Sequence, residues 1–326
     1  MKIKNIQKLL LTAAGMVLLS SCAKKSENIF NMFDDVTVTF NNRSPLAVTD
    51  YKLVNDGDSV YVDYTINSAA EDMYSVTVER SAGAQSGIER TTVQIADNAK
   101  RRSYSDVLKL KMNRDGKTSY RIYAANQKGT YIGDGYKKVV IEVNPSHMVY
   151  SSRNIYLPDS TAKVQPSFFS LSDATTYSYT NGQANAAKID FGIWRRPNPN
   201  TNAQDVTTNP FVYNLYAISA PTNPFPVYDI SGWTPKRTTR FSAPQTSQTN
   251  TFLYTAVSGS TIEALARARN PNLAVITATS FATGLSPGAS FYFLTPEGKY
   301  GIVLVNNISF DLDRRPFVNV SIKIQR

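Results

Sequence analysis

The chain has 326 residues, of which 42% are hydrophobic, 11% aromatic and 18% charged, and its 35 basic and 25 acidic side chains give a formal net charge of +10. This composition can fill more than one hydrophobic core, and its many tyrosines and phenylalanines favour β-structure. A single cysteine excludes an internal disulfide and any metal site with several cysteine ligands. A single histidine excludes most Ser-His-Asp and Cys-His types of catalysis, which need an imidazole as proton carrier.

The first 22 residues have the layout of an export signal. Three lysines form a basic start, and the apolar run LLLTAAGMVLL follows from Leu9 to Leu19. A run of this length is too short to cross a bilayer as a helix, which takes about 20 residues. Two small residues then lead to Cys22. We expect residues 1–21 to be a signal peptide.

The end of this segment, Leu19-Ser20-Ser21-Cys22, resembles the lipobox of bacterial lipoproteins. The resemblance implies that Cys22 is diacylated on its sulfur and anchors the protein in a membrane, while residues 22–35 form a lipidated tether. The alternative is an ordinary signal peptide with a chance cysteine near its end. Ala23 follows the cysteine rather than aspartate, the residue associated with retention in the inner membrane. The resemblance therefore implies the outer membrane and leaves open the cell surface or the periplasmic face.

The basic excess does not point to nucleic acid. Residues 1–21 carry three lysines and no acidic residue, so the rest of the chain has 32 basic and 25 acidic side chains. The basic residues are spread along the chain in pairs, which fits a solvated surface and also fits an acidic partner such as an anionic polysaccharide. A protein that leaves the cytoplasm is not expected to bind nucleic acid.

Residues 36–144 alternate short β-branched or aromatic runs with turns rich in glycine, asparagine and aspartate, which predicts an antiparallel β-sandwich. The predicted strands are 36–40, 59–66, 74–79, 91–95, 119–125 and 137–143. In the second of them, Val60, Val62 and Tyr64 fall on one face, and Asp63 falls on the other.

The run from Tyr120 to Gly129, YRIYAANQKG, resembles the penultimate strand and following turn of fibronectin type III and related immunoglobulin-like domains. The resemblance implies that Tyr120 closes a corner of the sandwich with a hydrogen bond and that Asn-x-x-Gly makes the turn. The early-strand tryptophan typical of the family is missing here. Tyr61 or Tyr64 is expected to fill that space.

Asn144-Pro145-Ser146-His147 is the predicted domain boundary, because proline removes a donor from a strand ladder. A β-rich C-terminal domain is expected over 148–326, and the whole chain is expected to be mainly all-β. Its predicted strands are 149–157, 175–180, 187–194, 210–219, 273–279, 290–295, 299–310 and 317–324. One short helix is predicted from Thr261 to Arg269, with Ser260 and Glu263 as its capping box.

Long loops rich in proline, asparagine and threonine are predicted within about 195–250, and loops of this length are usually functional or disordered. Sugar rings stack on exposed aromatic side chains, and guanidinium groups bind hydroxyls or carboxylates. The alternative is that the aromatic residues belong to the core. The candidate ligand-binding residues are Trp194, Trp233, Tyr213, Tyr216, Tyr228, Arg195 and Arg237.

The sequence contains no recognisable catalytic, metal or cofactor motif, so no catalytic residue, metal or cofactor is assigned. His147 is either a solvated hinge residue or a catalytic base. Asp190 is the acid of greatest interest, since it lies in an apolar run, and its alternation with Ile189 and Phe191 predicts an outward-facing position.

In its arrangement the chain resembles cell-envelope lipoproteins of the Bacteroidetes that carry an N-terminal immunoglobulin-like domain. The resemblance implies a non-enzymatic outer-membrane lipoprotein that binds an extracellular glycan or a partner protein through its C-terminal domain. The alternative is a structural subunit, either fimbrillin-like or a scaffold of an envelope complex, and a glycan-active enzyme is the least favoured reading.

Overall fold

The computed structural model describes residues 36–83, 87–133, 137–197, 211–273 and 284–326. The predictions for the signal peptide, for Cys22 and for the tether lie outside the described residues, as does most of the predicted strand 273–279. Among the described helices, none has the length and apolar character needed to cross a membrane.

The N-terminal part contains two β-sheets. Its strands are β1 (Val36–Phe40), β2 (Tyr51–Val54), β3 (Ser59–Ser68), β4 (Ser75–Ser81), β5 (Ile88–Gln94), β6 (Ser103–Lys111), β7 (Gly116–Ala125), β8 (Tyr131–Ile132) and β9 (Lys138–Val143), with a 3₁₀ turn at Asn98–Lys100. One sheet has the order β1-β3-β6 and the other β2-β9-β7-β4-β5, with β8 paired to β7. Only the β2–β9 pair in these sheets is parallel among the described strands. Buried side chains of both sheets form one core, which gives an immunoglobulin-like sandwich.

The alternation predicted for β3 is confirmed. Val60, Val62 and Tyr64 are completely buried in the sandwich core. Asp63, on the opposite face, is also buried, because Arg43 and Asn41 cover it: Arg43 Nε donates to its Oδ2 at 2.7 Å and Asn41 Nδ2 donates to its Oδ1 at 2.9 Å. These bonds, led by the one from Arg43, hold the pKa of Asp63 below its usual value against the effect of burial.

The turn after β7 has the form that the fibronectin-like motif implies. The Asn126 side-chain oxygen accepts hydrogen bonds from the backbone N–H of Lys128 and of Thr130, both at 3.0 Å. Gly129 has φ +75°, a conformation that favours glycine. Tyr120 is buried, and its hydroxyl interacts with the guanidinium of Arg80.

The C-terminal part is a second layered β-structure. Its strands are β10 (His147–Tyr156), β11 (Phe168–Phe169), β12 (Thr176–Tyr177), β13 (Phe191–Pro197), β14 (Phe211–Ala217), β15 (Arg240–Phe241), β16 (Asn272–Leu273), β17 (Ser290–Leu294), β18 (Tyr300–Phe310) and β19 (Pro316–Gln325). Its helical segments are α1 (Tyr179–Gly182), a 3₁₀ turn at Gln183–Asn185, a π-helical turn at Thr251–Thr255 and α2 (Gly259–Arg267). One sheet has the order β10-β19-β18-β17-β15-β16 and the other β12-β11-β13-β14.

Three apolar clusters hold these layers together. The largest contains residues from both sheets, among them Phe191, Phe291 and Ile322, and lies between them. A second cluster packs the aromatic residues of the 225–233 segment onto the four-stranded sheet. A third packs Ile262 of α2 against the six-stranded sheet. The chain is therefore mainly β with one short helix of more than one turn among the described residues, which confirms the predicted fold class.

Three local predictions for the C-terminal part are wrong. Within 175–180 only Thr176–Tyr177 is a strand, and the chain then turns into α1. Within 187–194 the strand starts only at Phe191. Helix α2 starts at Gly259 because Ser258, with extended backbone at φ −155°, is its N-cap and shares hydrogen bonds with Thr261.

Candidate functional site

The aromatic residues predicted to bind a ligand lie mostly in the core. Tyr213, Tyr216, Tyr228 and Trp233 are all buried, with Trp233 only 3% exposed. The Trp233 ring packs against Gly182, where a Cβ would clash with it, and its centroid lies 4.7 Å from that of Phe168. Tyr216 similarly covers Gly192 on the neighbouring strand. The expectation that these rings present a stacking surface is therefore corrected, because all four are buried and two of them, Trp233 and Tyr216, fill space above glycines.

The remaining candidates on β13 are also engaged within the protein. Trp194 is half-buried and packs against the same aromatic cluster. Arg195 places its guanidinium carbon 4.3 Å from the centroid of the Phe211 ring, across the β13–β14 pair. Trp194 therefore offers no free stacking face, and the guanidinium of Arg195 already has an aromatic partner.

Asp190 faces inward, so the prediction of an outward position is wrong. It is 0% exposed, and its carboxylate accepts hydrogen bonds from Leu171 N (2.7 Å), from Arg237 Nε (2.8 Å) and from the Thr239 hydroxyl. Burial raises the pKa of Asp190, and the bonds from Arg237 and Thr239 oppose this shift. The sequence pattern failed here because Asp190 precedes β13 rather than lying within it.

Arg237 joins this buried carboxylate to a second one at the surface. Its two terminal nitrogens donate to the two oxygens of Glu297, each at 2.7 Å. This hydrogen bonding lowers the pKa of Glu297 to about 2 although burial opposes it. Since two carboxylates neutralise Arg237, it holds the fold together and is poorly placed to bind a ligand.

His147 belongs to a hydrogen-bonded junction between the two parts of the chain. Its Nδ1 lies 2.7 Å from Asp115 Oδ2, and its side chain is only 10% exposed, so it is not a solvated hinge residue. Asp115 also accepts from the N–H and the hydroxyl of Ser146, at 2.7 and 2.6 Å. Burial raises the pKa of Asp115, but the bonds from His147 and Ser146 outweigh it and leave the pKa lowered.

The start of α2 is fixed by residues from outside its own part of the chain. Ser146 Oγ accepts from Gly259 N at 2.7 Å. Asp56, in the turn between β2 and β3, accepts from the N–H and the hydroxyl of Ser260 at 2.6 and 2.7 Å. A carboxylate at a helix N-terminus is favoured by the free N–H groups there. The two parts are thus held together by several charged hydrogen bonds rather than by a single linker.

A cleft of about 500 Å³ opens beside this junction. The β6–β7 turn contributes Asn113 and Arg114 to its lining, and the π-helical turn contributes Tyr254 and Thr255. Tyr254 is 48% exposed; Tyr51 and Phe310 are exposed as well, but neither of them lines this cleft. No hydrogen bond or ion pair joins the side chains of these four residues to any other described residue.

Two buried groups hold the π-helical turn in place. Phe252 packs into the cluster beneath α2. Lys323 is buried on β19, and its Nζ donates to the carbonyl oxygens of Phe252 (2.6 Å) and Ala256 (2.8 Å). These bonds give both carbonyls a buried donor from a strand outside the turn. Tyr254 is therefore presented to solvent by a rigid segment.

A larger cleft of about 630 Å³ lies at another side of the junction, and several of its polar groups bond to one another. Asn144 donates to Asn55 at 2.9 Å, and Gln325 donates to Glu263 at 3.1 Å. Within the described part of the chain, no group of three or more histidine, cysteine or acidic residues is arranged to hold a metal ion. The cleft beside Tyr254 combines an exposed aromatic ring with unengaged polar side chains.

The described residues define a mostly β protein with an immunoglobulin-like sandwich. No protein-family model matches the chain, and no curated protein matches it in sequence. Among solved structures, the CARDB domain of the PF1109 protein from Pyrococcus furiosus, in complex with di-metal ions, is similar over 34% of this chain and 93% of that chain, with 9% identity and a TM-score of 0.22. A beta-glucosidase from Listeria innocua in complex with glucose is similar over 33% of this chain and 16% of that chain, with 14% identity and a TM-score of 0.19. At these TM-scores neither likeness bears on function.

Proposed function

We propose that the protein is a non-enzymatic lipoprotein of the outer membrane that binds an extracellular glycan in the cleft beside Tyr254. The observation that carries the proposal is one exposed aromatic ring surrounded by unengaged amide, hydroxyl and guanidinium groups. Aromatic faces bind the C–H faces of sugars, and a few placed polar groups bind the hydroxyls. The lipid anchor rests on the sequence around Cys22.

In this proposal the N-terminal sandwich is a spacer. The junction through Asp115, Ser146 and Asp56 fixes the C-terminal part relative to the sandwich. A rigid spacer would hold the cleft at a set distance from the membrane and limit the freedom lost when a polymer binds. This differs from the expectation that the predicted loops of the C-terminal part bind ligand alone, since both parts line the cleft.

The replacement Tyr254→Ala should weaken glycan binding at least about tenfold, because the stacking surface is lost. Titration of the purified full chain with a panel of neutral and anionic polysaccharides, followed by calorimetry, measures the effect. Leu253→Ala is a matched control, since Leu253 is 42% exposed on the same turn but does not line the cleft. Its affinity should stay within about twofold of the wild type.

Two results would contradict the proposed function. In one, no polysaccharide of the panel binds, and a role as a structural subunit then becomes the better account. In the other, Tyr254→Ala binds as well as the unchanged chain, which would place the glycan elsewhere on the molecule.

The lipid anchor has its own test in the replacement Cys22→Ala. Without the sulfur there is no site for the diacylglycerol group, so the precursor should remain uncleaved and unacylated. Intact mass and metabolic labelling with a radioactive fatty acid measure both properties. Normal cleavage and membrane attachment of the variant would show that Cys22 is not the anchor.

A further inference from the structure

We infer that the cleft beside Tyr254 selects glycans that carry carboxylate groups, with Arg114 as the residue that binds the carboxylate. The inference rests on the proposed function, because it names the class of glycan that the same cleft takes. Its basis is the charge of the cleft and the state of its two arginines.

The two arginines of the cleft differ in their partners. Arg80 is already neutralised: its Nη1 donates to Glu89 at 2.7 Å, and it also interacts with Tyr120. Arg114 is half-buried, yet its guanidinium has no ion pair or hydrogen bond to any described residue. A half-buried guanidinium without a counter-ion is costly, and a carboxylate that accepts two parallel N–H bonds is the partner that suits it best.

The surroundings of Arg114 leave its positive charge uncompensated. The pKa of the buried Lys323 is lowered first by its burial and then by the nearby positive charge of Arg114. The negative charge of Asp115 opposes the effect of Arg114 only in part. The carboxylate of Asp115 is already occupied by Ser146 and His147. The charged residues that line the cleft are Arg80, Arg114 and Glu89, so the lining carries one net positive charge, which attracts an anion.

The unengaged neighbours of Arg114 favour a saccharide over an acidic peptide. Asn113 and Thr255 offer an amide and a hydroxyl, which can both donate to and accept from sugar hydroxyls. Tyr254 offers an exposed ring. An extended peptide would instead need apolar pockets for alternate side chains, and Val257 is the only aliphatic residue that lines this cleft among the described residues.

The test uses polygalacturonate, alginate and hyaluronan, each paired with its carboxyl-reduced polymer, which has the same backbone without the charge. The full chain should bind at least one acidic polymer about tenfold or more tightly than its reduced counterpart. Arg114→Gln should remove that difference, chiefly by weakening the binding of the acidic polymer. Arg153→Gln is the control, because Arg153 is an exposed arginine on β10, away from the cleft.

Equal affinity for the acidic and reduced polymers would overturn the inference while leaving glycan binding intact. Retention of the preference in Arg114→Gln would do the same. Poly-glutamate tests whether an acidic peptide can replace the glycan. If poly-glutamate binds as tightly as the acidic polymers, the inference is also overturned. If the chain binds a neutral glycan of the panel but none of these acidic polymers, only the acidic class of ligand is rejected. If it binds no glycan at all, the proposed function is rejected as well.

Discussion

Replacing Asp190 by alanine is expected to lower the free energy of unfolding of the C-terminal part by about 3–5 kcal/mol. The substitution leaves the buried Leu171 N–H and the Thr239 hydroxyl without their acceptor, and it removes one of the two carboxylates that hold Arg237. Unfolding in urea, followed by tryptophan fluorescence, measures the loss. Both tryptophans of the chain, Trp194 and Trp233, lie in this part and report on it.

The control for this change is Asp313→Ala. Asp313 is exposed and pairs with Arg315 at 3.0 Å on the surface, and such pairs contribute less than about 1 kcal/mol. The two variants thus compare a buried with an exposed carboxylate. A loss of less than about 1 kcal/mol in Asp190→Ala would contradict the buried network described here.

The second large effect is expected at Lys323, and it depends on pH. Burial lowers the pKa of Lys323 from 10.5 to about 8. Between pH 8 and pH 10.5 the unfolded chain therefore binds a proton that the folded chain has released. Stability must rise with pH across this window, by at most about 3 kcal/mol, because the unfolded state binds more protons. A neutral amine keeps two N–H groups and can still donate to both carbonyls.

The variant Lys323→Met should lose this rise and should also be less stable at pH 7 by about 1–3 kcal/mol, because the carbonyls of Phe252 and Ala256 lose their donor. The measurement is the difference in unfolding free energy between the wild type and the variant at several pH values, in which other titrating groups cancel. Lys188→Met, at an exposed position, is the control. A difference in unfolding free energy that stays constant between pH 8 and pH 10.5 would contradict the lowered pKa of Lys323.

The sequence predicts long alternating strands well and short or charged ones poorly. In β3 and β19 apolar residues recur at every second position, since one face of each strand contacts a core. β2 has only four residues, and β6 is an edge strand of mixed character, SYSDVLKLK, and neither is predicted. In β6, Tyr104, Leu108 and Leu110 are only partly buried, so the pattern carries less information.

The candidate site could not be predicted because its parts are distant in the chain. Arg114 and Tyr254 are separated by about 140 residues and meet only through the junction between the two parts. The same holds for Asp190, whose burial depends on Arg237, 47 residues further along. The sequence leaves Trp233 and Tyr216 open between the core and a ligand site for a related reason: each fills the space above a glycine of another element, and this pairing is visible only in the fold.

Hydrogen–deuterium exchange with mass spectrometry, on the full chain with and without the acidic polymer that it binds most tightly, tests most directly where a glycan binds. The account predicts slower exchange in two separate segments, the β6–β7 turn around Arg114 and the turn at Thr251–Thr255, and no change in β13 or β14. Slower exchange confined to β13 and β14, or to the segment around Trp233, would contradict it and return the site to the aromatic residues of the C-terminal core.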